Sequence, residues 1–132
     1  MSAVLEKGLY SKLTGASPQT LAVERVYPRL PQGVTFPAIR YQRVATLRKH
    51  ALDGAVGVTE ATMQVDCMAQ SYSQAKTLAD SVRTLLHGYT GAWSTLTIRH
   101  LSLDTENDFS EQDGDRVTHW VTQRYRIWSD MD

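Results

Sequence analysis

The groups in this 132-residue chain that could ligate a metal or attack an electrophile are four histidines and one cysteine, set among 14 carboxylates. His50, His87, His100 and His119 lie far apart, and none belongs to a recognisable zinc-ligand spacing. Cys67 falls in the middle of an apolar alternation. A nucleophilic thiol needs an electropositive, partly exposed setting, so Cys67 reads as a buried and inert one. The chain has no G-x-S-x-G, no P-loop and no G-x-G-x-x-G, so nucleophilic and nucleotide chemistry lack their usual signatures. The expectation is no catalytic residues, no cofactor and no metal.

The run DTENDFSEQDGD, from Asp104 to Asp115, holds six carboxylates, and Asp104, Glu106 and Asp108 alternate like the start of a calcium loop. Phe109 stands where such a loop needs glycine for its sharp turn, and Asp115 where a bidentate glutamate belongs. A solvated charged loop is the better reading. Opposite charge gathers earlier in the chain, where Arg25, Arg29, Arg40, Arg43, Arg48 and Lys49 face a single acid, Glu24. With Tyr27, Phe36 and Tyr41 interleaved, this region could be a nucleic-acid surface, although no binding motif accompanies it. It could equally be the solvated faces of ordinary strands. A third reading uses both charges: the basic hairpin of one copy meets the acidic loop of the next, a contact that closes a ring if the rotation allows. The interface candidates are then Arg40, Arg43, Arg48, Lys49, Asp108, Glu111, Asp113 and Asp115.

The elements that must position these residues fit one domain of ordinary size, 14.8 kDa with 42% hydrophobic and 21% charged residues. The 14 basic and 14 acidic residues cancel, which excludes a global attraction to nucleic acid or to an anionic membrane. No stretch approaches the roughly 20 apolar residues of a membrane span, and the N-terminal residues do not resemble a signal peptide. One cysteine excludes an intrachain disulfide, and together these features suggest a protein made in the cytosol.

Ser2 as N-cap with Leu5, Leu9 and Leu13 on one face predicts a helix over about 2–14, and a Gly, Pro and Ser loop follows over 15–20. The two prolines of ERVYPRLPQG argue against a long regular element over 24–33 and favour an extended or turning backbone. Alternation predicts a strand over 36–44, a long glycine-containing loop, and a second strand over about 61–70 with Met63, Val65, Cys67 and Ala69 on one face. Ser71, Gln74 and the series Ala75, Leu78, Ala79, Val82, Leu85, Leu86 predict a capped helix that ends at Gly88. A third strand over 93–103 changes phase between Ile98 and Leu101, the mark of a bulge, and a last strand covers about 117–128. In that last strand Val117, Val121, Tyr125 and Ile127 share a side with His119 and Gln123, an imperfect apolar stripe. The expected fold is α+β, a four-stranded largely antiparallel sheet with two helices packed on one face, in the order α-β-β-α-β-β.

Three segments resemble the tail-completion, or tail terminator, proteins of long-tailed (siphovirus-type) phages and prophages. Arg25, Val26, Tyr27 and Pro28, then Pro31, Gln32 and Gly33, precede a strand carrying Pro37, Ile39, Tyr41 and Gln42. The strand-to-helix junction is similar at Val65, Asp66, Ala69, Ser71, Tyr72 and Ala75, and the chain closes on YRIWSD. The resemblance covers most of the chain in the expected order, as a single tail-terminator-like domain. It implies a virion protein at the head-tail junction, assembled in the host cytoplasm and not an enzyme. It also implies a homo-oligomer, a hexameric ring that caps the tail tube protein, stops its polymerisation and joins it to a head-side connector protein. DNA would pass through the lumen without sequence-specific binding, and no membrane is involved. Another head-tail joining or minor tail structural protein is the alternative.

Overall fold

The structure, a computed structural model, describes residues 7–10, 26–28, 36–51, 54–93 and 96–130. Side chains are described at these positions except 48–51, 54–58, 96, 113, 116 and 130. In chain order the elements are a helical segment α1 over residues 7–10, β1 Val26–Tyr27, β2 Ala38–Ala51, β3 Gly54–Ala69, α2 Tyr72–Leu86, β4 Gly91–Trp93, β5 Leu96–Asp113 and β6 Arg116–Asp130. The strands form one sheet in the order β1-β2-β3-β6-β5-β4, in which β1 runs parallel to β2 and every other neighbouring pair is antiparallel.

This half-barrel of six strands replaces the expected four-stranded sheet with two helices on one face. The two added strands, β1 and β4, have two and three residues, too short to show an alternation. The larger corrections are in length. The glycine-containing run after Val44 is not a long loop, because β2 and β3 stay paired out to Ala51 and Gly54. The acidic run is not a loop either: β5 continues to Asp113 and pairs with β6 down to Arg116. Both segments extend towards hairpin tips, where neither face of a strand need be apolar, so the period-2 hydrophobic signal is lost while the backbone ladder continues. The rest of the expected first helix, the 15–20 loop and most of 24–33 lie outside the described residues.

The capped helix is where its periodicity puts it. Ser71 is extended, and its Oγ accepts the Gln74 N–H at 3.1 Å, supplying one of the orphan donors of the first turn. Ala75, Leu78, Ala79, Val82 and Leu86 are buried, at spacings of three and four residues that aim one stripe at the sheet. At the other end the His87 N–H donates to the Arg83 carbonyl, and Gly88 takes the left-handed conformation, φ 83°, at no steric cost. Its N–H then donates to the Leu101 carbonyl at 2.7 Å, and the Leu103 N–H donates to His87 Nδ1 at 3.0 Å, so the helix end is stitched to β5.

Beneath this stripe lie Ile39 and Tyr41 of β2, Ala61, Met63, Val65, Cys67 and Ala69 of β3, Leu101 of β5, and Val121, Tyr125 and Ile127 of β6. Leu9 joins the same core, and an added Cβ at Gly8 would stand 2.6 Å from Trp93, which is why that approach requires glycine. The phase change in β5 is a register shift between Ile98 and His100, as the sequence indicates, and a second one falls between Leu103 and Thr105. After the second shift Glu106 and Asp108 stand opposite Gln123 and Val121, on the α2 side of the sheet.

Leu78 is fully buried, so Leu78→Ala is expected to destabilise the fold by roughly 2–5 kcal/mol in urea denaturation. Ser81→Ala on the exposed side of the same helix should stay within about 0.5 kcal/mol of the parent.

Candidate interaction surface

On the sheet face away from α2, register sets Arg40, Asp66 and Thr122 side by side across β2, β3 and β6. Asp66 is 1% exposed, and a carboxylate removed from water persists only if its oxygens are satisfied. Arg40 donates from Nε and Nη2 to Oδ2 at 2.9 and 2.6 Å, Thr122 Oγ1 donates to Oδ1 at 2.7 Å, and Gln64 Nε2 lies at 3.3 and 3.4 Å. Arg40, expected at a subunit interface, is thus engaged inside its own sheet. Further along the same face Arg126 bridges Glu60 and Asp104, with Nε 3.0 Å from Glu60 Oε2 and Nη2 3.3 Å from Asp104 Oδ2.

On the α2 side the acidic strand is tied down as well. Gln123, fully buried in β6, donates from Nε2 to the Ala79 carbonyl at 2.9 Å and to Glu106 Oε2 at 2.8 Å, while its Oε1 accepts the Tyr125 hydroxyl at 2.8 Å. Asp108 accepts from the Tyr72 hydroxyl at 2.8 Å and from Lys76 Nζ at 3.3 Å, which fastens β5 to the first turn of α2. The Tyr72 hydrogen bond holds the Asp108 carboxyl below the usual carboxylate range and raises the Tyr72 hydroxyl in return. The carboxylates therefore do not converge on a cation: Asp104 meets Arg126, Glu106 meets Gln123 and Asp108 meets Tyr72. Among the described residues no group of three His, Cys, Asp or Glu is placed to hold a metal ion. Cys67 is buried, and burial first, with Asp66 next to it, pushes its thiol well above the ordinary value.

The remaining candidates mark the two hairpin ends. Glu111 and Asp115 are exposed near the β5–β6 turn, where Gly114 has φ 64°, and Asp113 closes the ladder opposite Arg116, its side chain outside the described ones. Arg43 Nη1 donates to Thr46 Oγ1 at 3.2 Å. Arg48 and Lys49 occupy the distal part of β2, their side chains likewise outside the described ones. Because β3 and β6 are antiparallel, Ala51 and Gly54 turn beyond Asp130, whereas the β5–β6 turn lies beyond Ala69. A single chain keeps its basic and acidic ends at opposite ends of the sheet. Sequence reading missed the exposed apolar side chains beside them: Val44 and Leu47 on β2, and Phe109 on β5, which stacks on Trp120 at 5.9 Å. The available signal was an aromatic residue inside an otherwise polar run.

No helix among the described residues is long and apolar enough to cross a membrane. Residues 7–130 match the family described as Tail completion protein gp17. The chain belongs to that family. The gp17 family is one of phage tails, so this is a phage tail structural protein. A search of curated proteins gives no match. Among solved structures the fold is similar to a chain from the virion of a native gene transfer agent particle, with a TM-score of 0.74 at 16% identity over 94% of each chain.

Asp66→Ala leaves Arg40 and Thr122 without their acceptor and is expected to cost roughly 2–4 kcal/mol by chemical denaturation, below the figure for a fully buried pair because Arg40 is half-buried. For Asp108 the depressed folded value means that its tie to α2 stabilises above the ordinary carboxylate pKa and is lost as pH falls through the folded value. Tyr72→Phe should therefore move the Asp108 titration upward in carboxyl NMR. Its destabilisation should be present at neutral pH and disappear in acid.

Proposed function

We propose that this gp17-family chain is a non-enzymatic ring subunit that caps the tail tube, stops its polymerisation and joins the tail to the head-side connector. The observation that carries the reading is the family match over residues 7–130; the likeness to a virion chain over nearly its whole length agrees with it in fold. The structure is compatible in physical terms. Several of its titratable side chains are engaged in internal ties, Arg40 to Asp66, Glu106 to Gln123 and Asp108 to Tyr72. Its surplus charge lies at two separate hairpin ends, an arrangement suited to contacts between molecules. The subunits form a homo-oligomer, a hexamer, at the head-tail junction of the virion after assembly in the host cytoplasm. The ring contacts the tail tube protein and the head-side connector protein, and DNA traverses the lumen without sequence-specific contacts.

Electron microscopy of particles assembled without the chain tests this. Overlong tails, or heads and tails left unattached, are the expected outcome. Tails of normal length beside unsealed heads would overturn tube termination and assign the chain to head-side joining instead.

A further inference from the structure

The two long outer strands carry unequal cover. Among the described residues, β1 pairs with β2 only at Ile39 and Arg40, and β4 pairs with β5 only from Leu96 to Ile98. Leu101 and Leu103 are engaged by Gly88 and His87, so the stretches that remain open, with no second strand beside them among the described residues, are Asp104–Asp113 of β5 and Val44–Ala51 of β2. Exposed edges of this length template pairing with another chain, and proteins usually blunt them with lysine or proline. Asp104–Asp113 contains neither.

We propose that β5 of one copy adds as a strand to the outer edge of β2 of the next copy, so that the ring subunits share one continuous sheet. The proposal rests on the ring reading above and names its contact. Charge selects the pair of edges. The β5 stretch contains Asp104, Glu106, Asp108, Glu111 and Asp113, of which Asp104 and Asp108 already face Arg126 and Lys76 of the same chain, whereas Val44–Ala51 contains Arg48, Lys49 and His50 and no acid. Val44 and Leu47 are 40% and 54% exposed and Phe109 is 49% exposed, so each edge also offers apolar surface.

Strand direction permits the join. β2, β3, β6 and β5 alternate in direction, so β5 meets the next β2 antiparallel and the four-strand unit can repeat. Stagger permits it as well. Asp108 stands level with Val121 of β6, and Leu47, through Glu60, with Trp128, an offset of seven residues or roughly 23 Å along the strands. Strands of a closed sheet tilt by roughly 35–45°, which over four strands displaces neighbours by about 13–19 Å, the greater part of that offset, and the length of the two stretches covers the remainder. The contact is heterologous, and the curvature of the half-barrel favours closure over an open filament.

Zero-length carbodiimide cross-linking of tails that carry the full-length chain, followed by peptide mass spectrometry, tests the pairing. Within one chain Lys49 is separated from the acidic strand by three strand spacings, roughly 14 Å across the sheet, in addition to that offset, so a link between them joins two copies. The expected product joins Lys49 to a carboxylate in 104–115. Arg48→Glu with Lys49→Glu should raise the concentration of chain needed to cap tubes at least about tenfold, and adding Glu111→Lys with Asp115→Lys in the same chain should restore capping, which a misfolded protein would not do. Rings that form with cross-links elsewhere, or with the reversed charges tolerated, overturn the edge pairing and leave the ring reading standing. A chain found only as isolated monomers on finished tails overturns both.

Discussion

The antiparallel seam between β3 and β6 runs without a register break from Val58 opposite Asp130 to Ala69 opposite His119. Everything else in the sheet hangs from it: β2 is placed by β3, β5 by β6, and α2 rests on the face that the two central strands make together. Because side chains alternate along a strand, a slip of one residue in this seam would turn Met63, Val65, Cys67, Val121, Tyr125 and Ile127 outward. The apolar set of both strands is buried in one register only.

Polar groups reinforce that register from both faces. Asp66, buried opposite Thr122 and Arg40, finds its donors only when β2, β3 and β6 are aligned as observed. Gln123 on the α2 side needs the Ala79 carbonyl, Glu106 and Tyr125 together. A buried polar group left unpaired costs more than a satisfied one contributes, so these residues discriminate against misalignment more than they add to net stability. The second β5 bulge serves the same end, since without it Glu106 and Asp108 would leave the helix side and lose Gln123 and Tyr72.

For a phage tail protein of the gp17 family this construction has a mechanical sense. Several of its charged side chains, Arg40, Glu60, Asp66, Lys76, Asp104, Asp108 and Arg126, pair within the fold, in a framework whose register is over-determined. Surfaces that must join copies in fixed orientation are more reproducible when carried by strands than by loops. The acidic segment, proposed above to meet the next copy, is a strand anchored at Asp108 to the first turn of α2 while Glu111 and Asp115 remain exposed.

What the sequence by itself determined was local: the α2 cap at Ser71 and its buried stripe, the inward faces of β3 and β6, the bulge beside Ile98 and the buried thiol of Cys67. Each rests on a periodicity or a capping chemistry contained in a few consecutive residues. The tertiary structure alone decided that the acidic run and the glycine-containing run continue as strands, and that six strands form the sheet. It alone also decided that Arg40 and Asp108 find partners within the chain while the basic and acidic ends stand apart. Backbone pairing between distant segments leaves no mark on residue types where both strand faces are polar, and an ion pair between positions 26 apart, such as Arg40 with Asp66, exists only once the register of the sheet is set.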